Sequence, residues 1–156
     1  MPRVETIRSM STLKIGRLVS ISGTVTRSSE VRPELLYGSF ICNKCETSHP
    51  FIEQQFQYTE PQVCVNPQCN SSNSFQLILH NCSFVDWQRF RVQENADEIP
   101  AGSMPRCVDV ICRNEVVEVA KAGDKVVFTG TIAVVPDTSG LSRVGDSTVT
   151  GILMIS

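Results

Sequence analysis

The sequence predicts a mainly β protein, and three observations carry that prediction. Helical periodicity is almost absent, β-type runs recur between turns rich in Gly, Pro, Asn and Asp, and Gly23 and Gly130 each sit inside a strand pattern. At 156 residues with 41% hydrophobic content, the chain can bury the core of one or two small domains. Its formal net charge of −2 and pI near 5.7 give no overall basic field, so any binding of nucleic acid needs a local patch. No apolar run reaches the length of a membrane span, and Met1 to Met10 carries Arg3, Glu5 and Arg8 where a signal peptide is apolar. A reducing compartment and no membrane partner are expected.

The elements follow in order. From Leu18 to Thr26, "LVSISGTVT" alternates apolar and small polar residues, and Leu35 to Ile41 continues in the same style after a turn expected at Arg32-Pro33. "CNKC" and "CVNPQC" then place Cys42, Cys45, Cys64 and Cys69 as two close pairs with eighteen residues between them. Thiolates spaced in this way point inward from tight knuckles, and two facing knuckles complete a tetrahedron of soft ligands suited to one structural Zn²⁺. Disulfides or an iron–sulfur cluster are the alternatives. Between the pairs the large apolar residues are few, Phe51, Ile52, Phe56 and Tyr58, so without metal the segment would be largely unfolded. Seven cysteines are an odd count for a closed disulfide framework, and Cys82, Cys107 and Cys112 lack the paired spacing. His49 could stand in for a cysteine, although four thiolates already satisfy the metal, and His80 reads as structural.

After the second pair come the runs "FQLILHNCSFV", "WQRFRVQE", "CVDVICRNEVVEV" and "KVVFTGTIAVV". A residue without Cβ at positions 23 and 130 permits the bulge or bend that lets a small sheet curl closed. The expected architecture is therefore a five-stranded OB-fold barrel with an inserted four-cysteine zinc-binding subdomain. Residues 1–40 form its first part, residues 41–75 the metal lobe, and residues 76–156 the remainder with a C-terminal hairpin. The end at "TGILMIS", with no turn or cap, predicts a piece of a longer protein.

In "DWQRFRVQE", strand alternation puts Trp87, Arg89, Arg91 and Gln93 on one face and Asp86, Gln88, Phe90 and Val92 on the other. An aromatic with two cations suits single-stranded nucleic acid, with bases stacking on the ring and arginines following phosphates. A solvated strand face accounts for the same pattern equally well. "KAGDK" reads as a turn built on Gly123-Asp124, which places Lys125 at the start of a strand, and Arg143 is the one cation of a hairpin tip near Pro136 to Gly145. Lys125 and Arg143 join Trp87, Arg89 and Arg91 as nucleic-acid candidates. "IPAGSMP" is a proline-bracketed loop, for docking or for connection. With no G-x-x-x-x-G-K-[ST] loop, no H-E-x-x-H and a four-thiolate metal without an open position, the segment is not expected to be an enzyme.

The stretch "RFRVQENADEIPAGSMPRCVDVICRNEVVEVAKAGDKVVFTGTIAVVPD" resembles the N-terminal region of the minichromosome maintenance (MCM) family, which forms the hexameric replicative DNA helicase of archaea and eukaryotes. "KIGRLVSISGTVTRSSEVRPEL" and the two cysteine pairs precede it in the family's order, so the likeness covers about residues 12 to 138. "RPELLYGSFIC", "EQQFQYTEPQVC" and "FTGTIAVVPD" are most similar to the sixth-subunit branch. The resemblance implies an OB fold with a zinc lobe whose ligands are Cys42, Cys45, Cys64 and Cys69, set in a ring around DNA in the nucleus. It implies partnership with other MCM subunits in a hetero-hexamer and, through the zinc lobes, a double hexamer. Arg89 and Arg91 would face DNA, "IPAGSMP" would communicate with an ATPase domain, and ATP would belong to a C-terminal motor beyond Ser156. The chain departs from the family in lacking the helical subdomain before the barrel and in reducing the basic hairpin tip to Arg143. A free-standing zinc-containing OB protein that binds single strands, or a protein–protein adaptor using the Trp87 face, are the other readings.

Overall fold

The computed structural model describes residues 3–54, 58–136 and 149–155. It is mainly β, and among the described residues the nine strands are β1 (Val4–Glu5), β2 (Leu18–Ser28), β3 (Arg32–Cys42), β4 (Ser48–Glu53), β5 (Phe75–Leu77), β6 (Ser83–Gln93), β7 (Cys107–Arg113), β8 (Lys125–Pro136) and β9 (Val149–Ile155). They fall into two compact units, Met1–Arg32 with Asp86–Ser156, and Pro33–Val85. Among the described residues no helix is long and apolar enough to cross a membrane.

In the first unit five strands form a closed path. β2 pairs antiparallel with β8, β8 antiparallel with β9, β9 parallel with β7, β7 antiparallel with β6, and the end of β6 returns antiparallel to β2 through Thr24↔Gln93 and Val25↔Val92. Alternation supplies the core: Val19, Ile21 and Val25 of β2 meet Phe90 and Val92 of β6, Val108 and Val110 of β7, Phe128 and Ile132 of β8 and Leu153 of β9. Each such side chain contributes roughly 1.5–3 kcal/mol by leaving water. The Phe90 and Phe128 rings lie 5.8 Å apart at the centre. Close strand approach explains the glycines, because a Cβ at Gly23 would come within 2.4 Å of Val92 Cγ1 and one at Gly130 within 2.2 Å of the Met154 carbonyl oxygen. The turn before β8 is built as expected. Gly123 has φ +99°, its N–H donates to the Val25 carbonyl at 2.7 Å, and the Asp124 carboxylate accepts the Lys121 N–H at 2.8 Å.

In the second unit β3 is flanked on both sides, by β4 through Phe40↔His49 and by β5 through Phe40↔Leu77. Phe40 is fully buried and packs 6.0 Å from the Tyr58 ring. Cys42 ends β3, so the first knuckle hangs directly from a strand.

Several boundaries differ from the sequence expectation. The break between β2 and β3 is Ser29–Val31, and Arg32-Pro33 already begins β3, where a proline at the strand's start removes no needed ladder donor. "FQLILHNCSFV" is not one strand, because a 3-10 turn at Leu79–Asn81 separates β5 from β6. β6 then runs unbroken from Ser83 to Gln93. β7 stops at Arg113, since Asn114 adopts φ +56° and opens a 3-10 turn. β1 and β4 have no counterpart in the sequence expectation. Arg143 of the expected hairpin tip lies outside the described residues, as does Phe56.

Candidate metal centre and nucleic-acid surface

Two knuckles of similar construction bring the paired cysteines together. In the first, the Glu46 N–H donates to the Cys42 carbonyl at 2.9 Å with Glu46 at φ +55°, and the Cys42 N–H donates to the Thr47 carbonyl at 3.0 Å. In the second, the Cys69 N–H donates to the Asn66 carbonyl and the Cys64 N–H to the Ser71 carbonyl, each at 3.0 Å, with Asn70 at φ +42°. Asparagine tolerates that region because its short side chain can bond locally. The four sulfur atoms all lie within 4.8 Å of one another, with Cys45 to Cys64 at 3.5 Å and Cys42 to Cys69 at 3.8 Å. Thiolates about 2.3 Å from a central zinc form a tetrahedron with edges of about 3.8 Å, so these spacings fit the metal and are far too long for a disulfide.

The electrostatics point the same way. Each sulfur receives the backbone N–H two residues ahead, from Lys44, Thr47, Asn66 and Ser71 in turn. The Thr47 hydroxyl, then its N–H, pull Cys45 down to about 6, and the Lys44 and Cys45 N–H groups lower Cys42. Across the cage, the Asn66 N–H pulls Cys64 down but burial and the neighbouring Cys45 and Cys42 sulfurs outweigh it, leaving it at about 11. Cys69 is raised, first by Cys45 and then by burial. The peptide groups are thus aimed to stabilise thiolates, yet four thiols so close cannot all ionise without a cation among them. The four cysteines form a group that could hold a metal ion, and a dication suits this donor set. His49 is not in the cluster: it is buried edge-on to Phe75 at 5.1 Å, with Nε2 lacking a hydrogen-bond partner among the described residues.

The second candidate surface is on the first unit. As alternation predicts, Gln88, Phe90 and Val92 of β6 are buried while Arg89 and Arg91 are exposed. A third arginine joins them through a bulge. β2 pairs Val25↔Val92 and then Arg27↔Arg91, so Thr26 is an extra residue, and its hydroxyl donates to the Arg91 carbonyl at 3.1 Å. Val25 faces the core, and simple alternation would turn Arg27 inward as well. The inserted residue re-aims it outward, opposite Arg91. Arg27, Ser28, Ser29, Arg89, Arg91 and Asp109 line a shallow groove of about 340 Å³. Ser29 is fixed in its wall: its Oγ accepts the Arg89 N–H at 2.9 Å, its N–H donates to the Arg89 carbonyl at 2.8 Å, and Gln88 Nε2 donates to its carbonyl at 2.9 Å.

The other sequence candidates are placed differently. Trp87 is partly buried opposite Arg113 on β7 and does not line the groove. Lys125 lies across from Thr24 with its ammonium 3.6 Å from the Asp97 carboxylate, also outside the groove. Arg143 is outside the described residues. Arg27 reads from the sequence as an ordinary surface charge, and the bulge that makes it part of the site has no visible signal there.

With the geometry in place, similarity narrows the reading. The sequence model of a family described as the MCM OB domain matches residues 6–136. The chain is 51% identical over 146 residues to the DNA replication licensing factor MCM6 of Arabidopsis thaliana, covering 94% of this chain and 18% of that protein. It is 54% identical over 145 residues to DNA replication licensing factor mcm6 of Schizosaccharomyces pombe, covering 93% and 16% respectively. To the maternal DNA replication licensing factor mcm6 of Xenopus tropicalis it is 47% identical over 146 residues, covering 94% and 18%. The chain therefore spans less than a fifth of the length of these relatives.

Proposed function

This chain belongs to the minichromosome maintenance family as an N-terminal segment of its sixth-subunit branch, and from that premise we propose that it is the DNA-binding and ring-assembly module of a replicative helicase subunit. Its place in DNA replication follows from relatives that are replication licensing factors, and the matched OB domain contains no catalytic domain. The closed path of β2, β8, β9, β7 and β6 is read as the OB barrel, with the four-cysteine cage as a structural zinc lobe. The observation that carries the DNA assignment is the outward row of Arg27, Arg89 and Arg91, set in phase by the β2 bulge. Three guanidiniums beside serine hydroxyls suit a sugar–phosphate backbone, and among the described residues no aromatic lines the same groove.

Charge separates the two units. Pro33–Val85 holds one lysine, Lys44, against Glu34, Glu46, Glu53 and Glu60, a balance of −3, whereas the rest of the sequence, with 13 of the 14 cations and 12 of the 16 acids, stands at +1. Bound zinc stitches the two knuckles into one cross-link, and a dication with four thiolates carries two further negative charges. A lobe of that charge is repelled by phosphate, so its contacts are with protein: neighbouring MCM subunits in a nuclear hetero-hexamer and its facing hexamer. ATP binding belongs to a motor elsewhere in the intact protein.

Titration of the purified chain with short fluorescein-labelled oligothymidylate tests this reading. Binding should weaken on Arg89→Ala with Arg91→Ala, and its logarithm should fall with log salt at a slope of about 0.7 for each phosphate contact made. Undiminished binding by the double variant would refute the assignment, and nanomolar, salt-resistant binding by the monomer would favour the free-standing single-strand-binding reading.

A further inference from the structure

The arginine groove contains one acid. Asp109 sits on β7 directly opposite Arg91, yet its carboxylate reaches the diagonal neighbour, accepting Arg89 Nη2 at 2.5 Å. Its side chain is only 13% exposed against 50% for Arg89, so the pair is partly shielded from water. Among the described residues Arg27 and Arg91 carry no such ion pair. Two guanidiniums are therefore free to meet an anion, and the third is already engaged by a carboxylate.

Resting on the DNA-binding reading above, we propose that Asp109 is the residue that sets the groove's affinity: it competes with the phosphate for Arg89 and holds single-stranded DNA to a weak, readily released grip. A strand entering the groove meets Arg27 and Arg91 first, and gains Arg89 only by displacing a carboxylate of the same charge as the phosphate. The cost of that exchange lowers affinity without altering the shape of the site. A module that must let a strand slide past it uses such a device to keep phosphate contacts from becoming fixed. The bond to Asp109 lies along the sheet between neighbouring strands, so removing it frees Arg89 without opening the core.

The test is a salt series of oligothymidylate anisotropy titrations on the 156-residue chain and its Asp109→Asn, Arg89→Ala and Arg89→Ala/Asp109→Asn variants, with thermal melting as the folding control. Asp109→Asn should bind about threefold to fivefold tighter, the size of coupling that a partly exposed ion pair supports. Its salt slope should steepen by about 0.7, the signature of one more phosphate contact on a single strand. The gain should vanish when Arg89 is absent. Weaker binding by Asp109→Asn would overturn the proposal by making Asp109 a positioning residue, as would unchanged binding. A gain that persists without Arg89 would reduce it to a general field effect and would equally overturn it. A wild-type chain with no affinity at any salt would refute the DNA reading itself, unless Asp109→Asn alone bound, which would be the strongest support for the competition.

Discussion

Glu94 has a side chain wholly out of solvent, with Arg8 Nε 2.7 and 3.0 Å from its two oxygens and the Arg106 N–H 3.3 Å from one of them. Arg8 also donates through Nη2 to the Met104 carbonyl at 2.9 Å, so one guanidinium fastens the N-terminal segment to the "IPAGSMP" loop. Arg8→Ala would leave a carboxylate buried without its counter-ion, and chemical denaturation should show a loss of about 3 kcal/mol. Pairing Arg8→Met with Glu94→Gln should recover much of it, because two neutral groups cost less to bury than one orphaned charge. The unpaired cysteines separate by environment. Burial raises Cys112 to about 11 from an ordinary 9.0, while Cys107 is exposed. In the metal-loaded protein at neutral pH a thiol reagent should modify Cys107 at once and Cys112 only after unfolding. The sign of the linkage is that of an acid whose folded value is raised. The stabilisation is complete below pH 9, where the unfolded thiol is still protonated, and is lost as pH rises through 11, so Cys112→Ala should flatten an alkaline melting series over that window.

At the scale of elements, closure of the strand path depends on places where chains pass unusually close. Gly130 is paired to Val19 on one side and backs onto the Met154 carbonyl on the other. Gly130→Ala would force backbone to move, since a carbonyl cannot rotate away as a side chain can, and should cost about 1–3 kcal/mol in urea unfolding. That glycine was legible in the sequence because it interrupts a run that otherwise alternates cleanly. The same alternation made β2, β6 and β8 visible, since Val19 and Ile21, Phe90 and Val92, and Phe128, Gly130 and Ile132 recur at every second position and are buried. β4 was hidden because Pro50 lacks an N–H and Phe51, 78% exposed at φ +59°, breaks the period that identifies a strand. The end of β7 was hidden because Asn114 interrupts a run whose apolar residues continue through Val119. The arginine site was half legible. Arg89 and Arg91 follow from period two within β6, whereas Arg27 depends on Thr26 being looped out, a consequence of pairing with a strand far along the chain.

For the whole molecule, the sequence was most informative where chemistry, not packing, dictates spacing. Cys42, Cys45, Cys64 and Cys69 can be read as ligands because a tetrahedral ion tolerates few arrangements, and their sulfurs do converge. The lobe around them has a small core centred on Phe40, so its order should depend on metal while the first unit, with its own continuous core, should not. Adding a strong chelator should then split thermal unfolding into two transitions, the earlier one belonging to Pro33–Val85. The most direct test of this account is native mass spectrometry of the purified chain with and without chelator, beside Cys64→Ala. One zinc per chain, lost together with the fold of the lobe on chelation or on substitution, is the predicted result. A chain that carries no metal while amide exchange shows the lobe still protected, or one that carries iron in zinc's place, would contradict it.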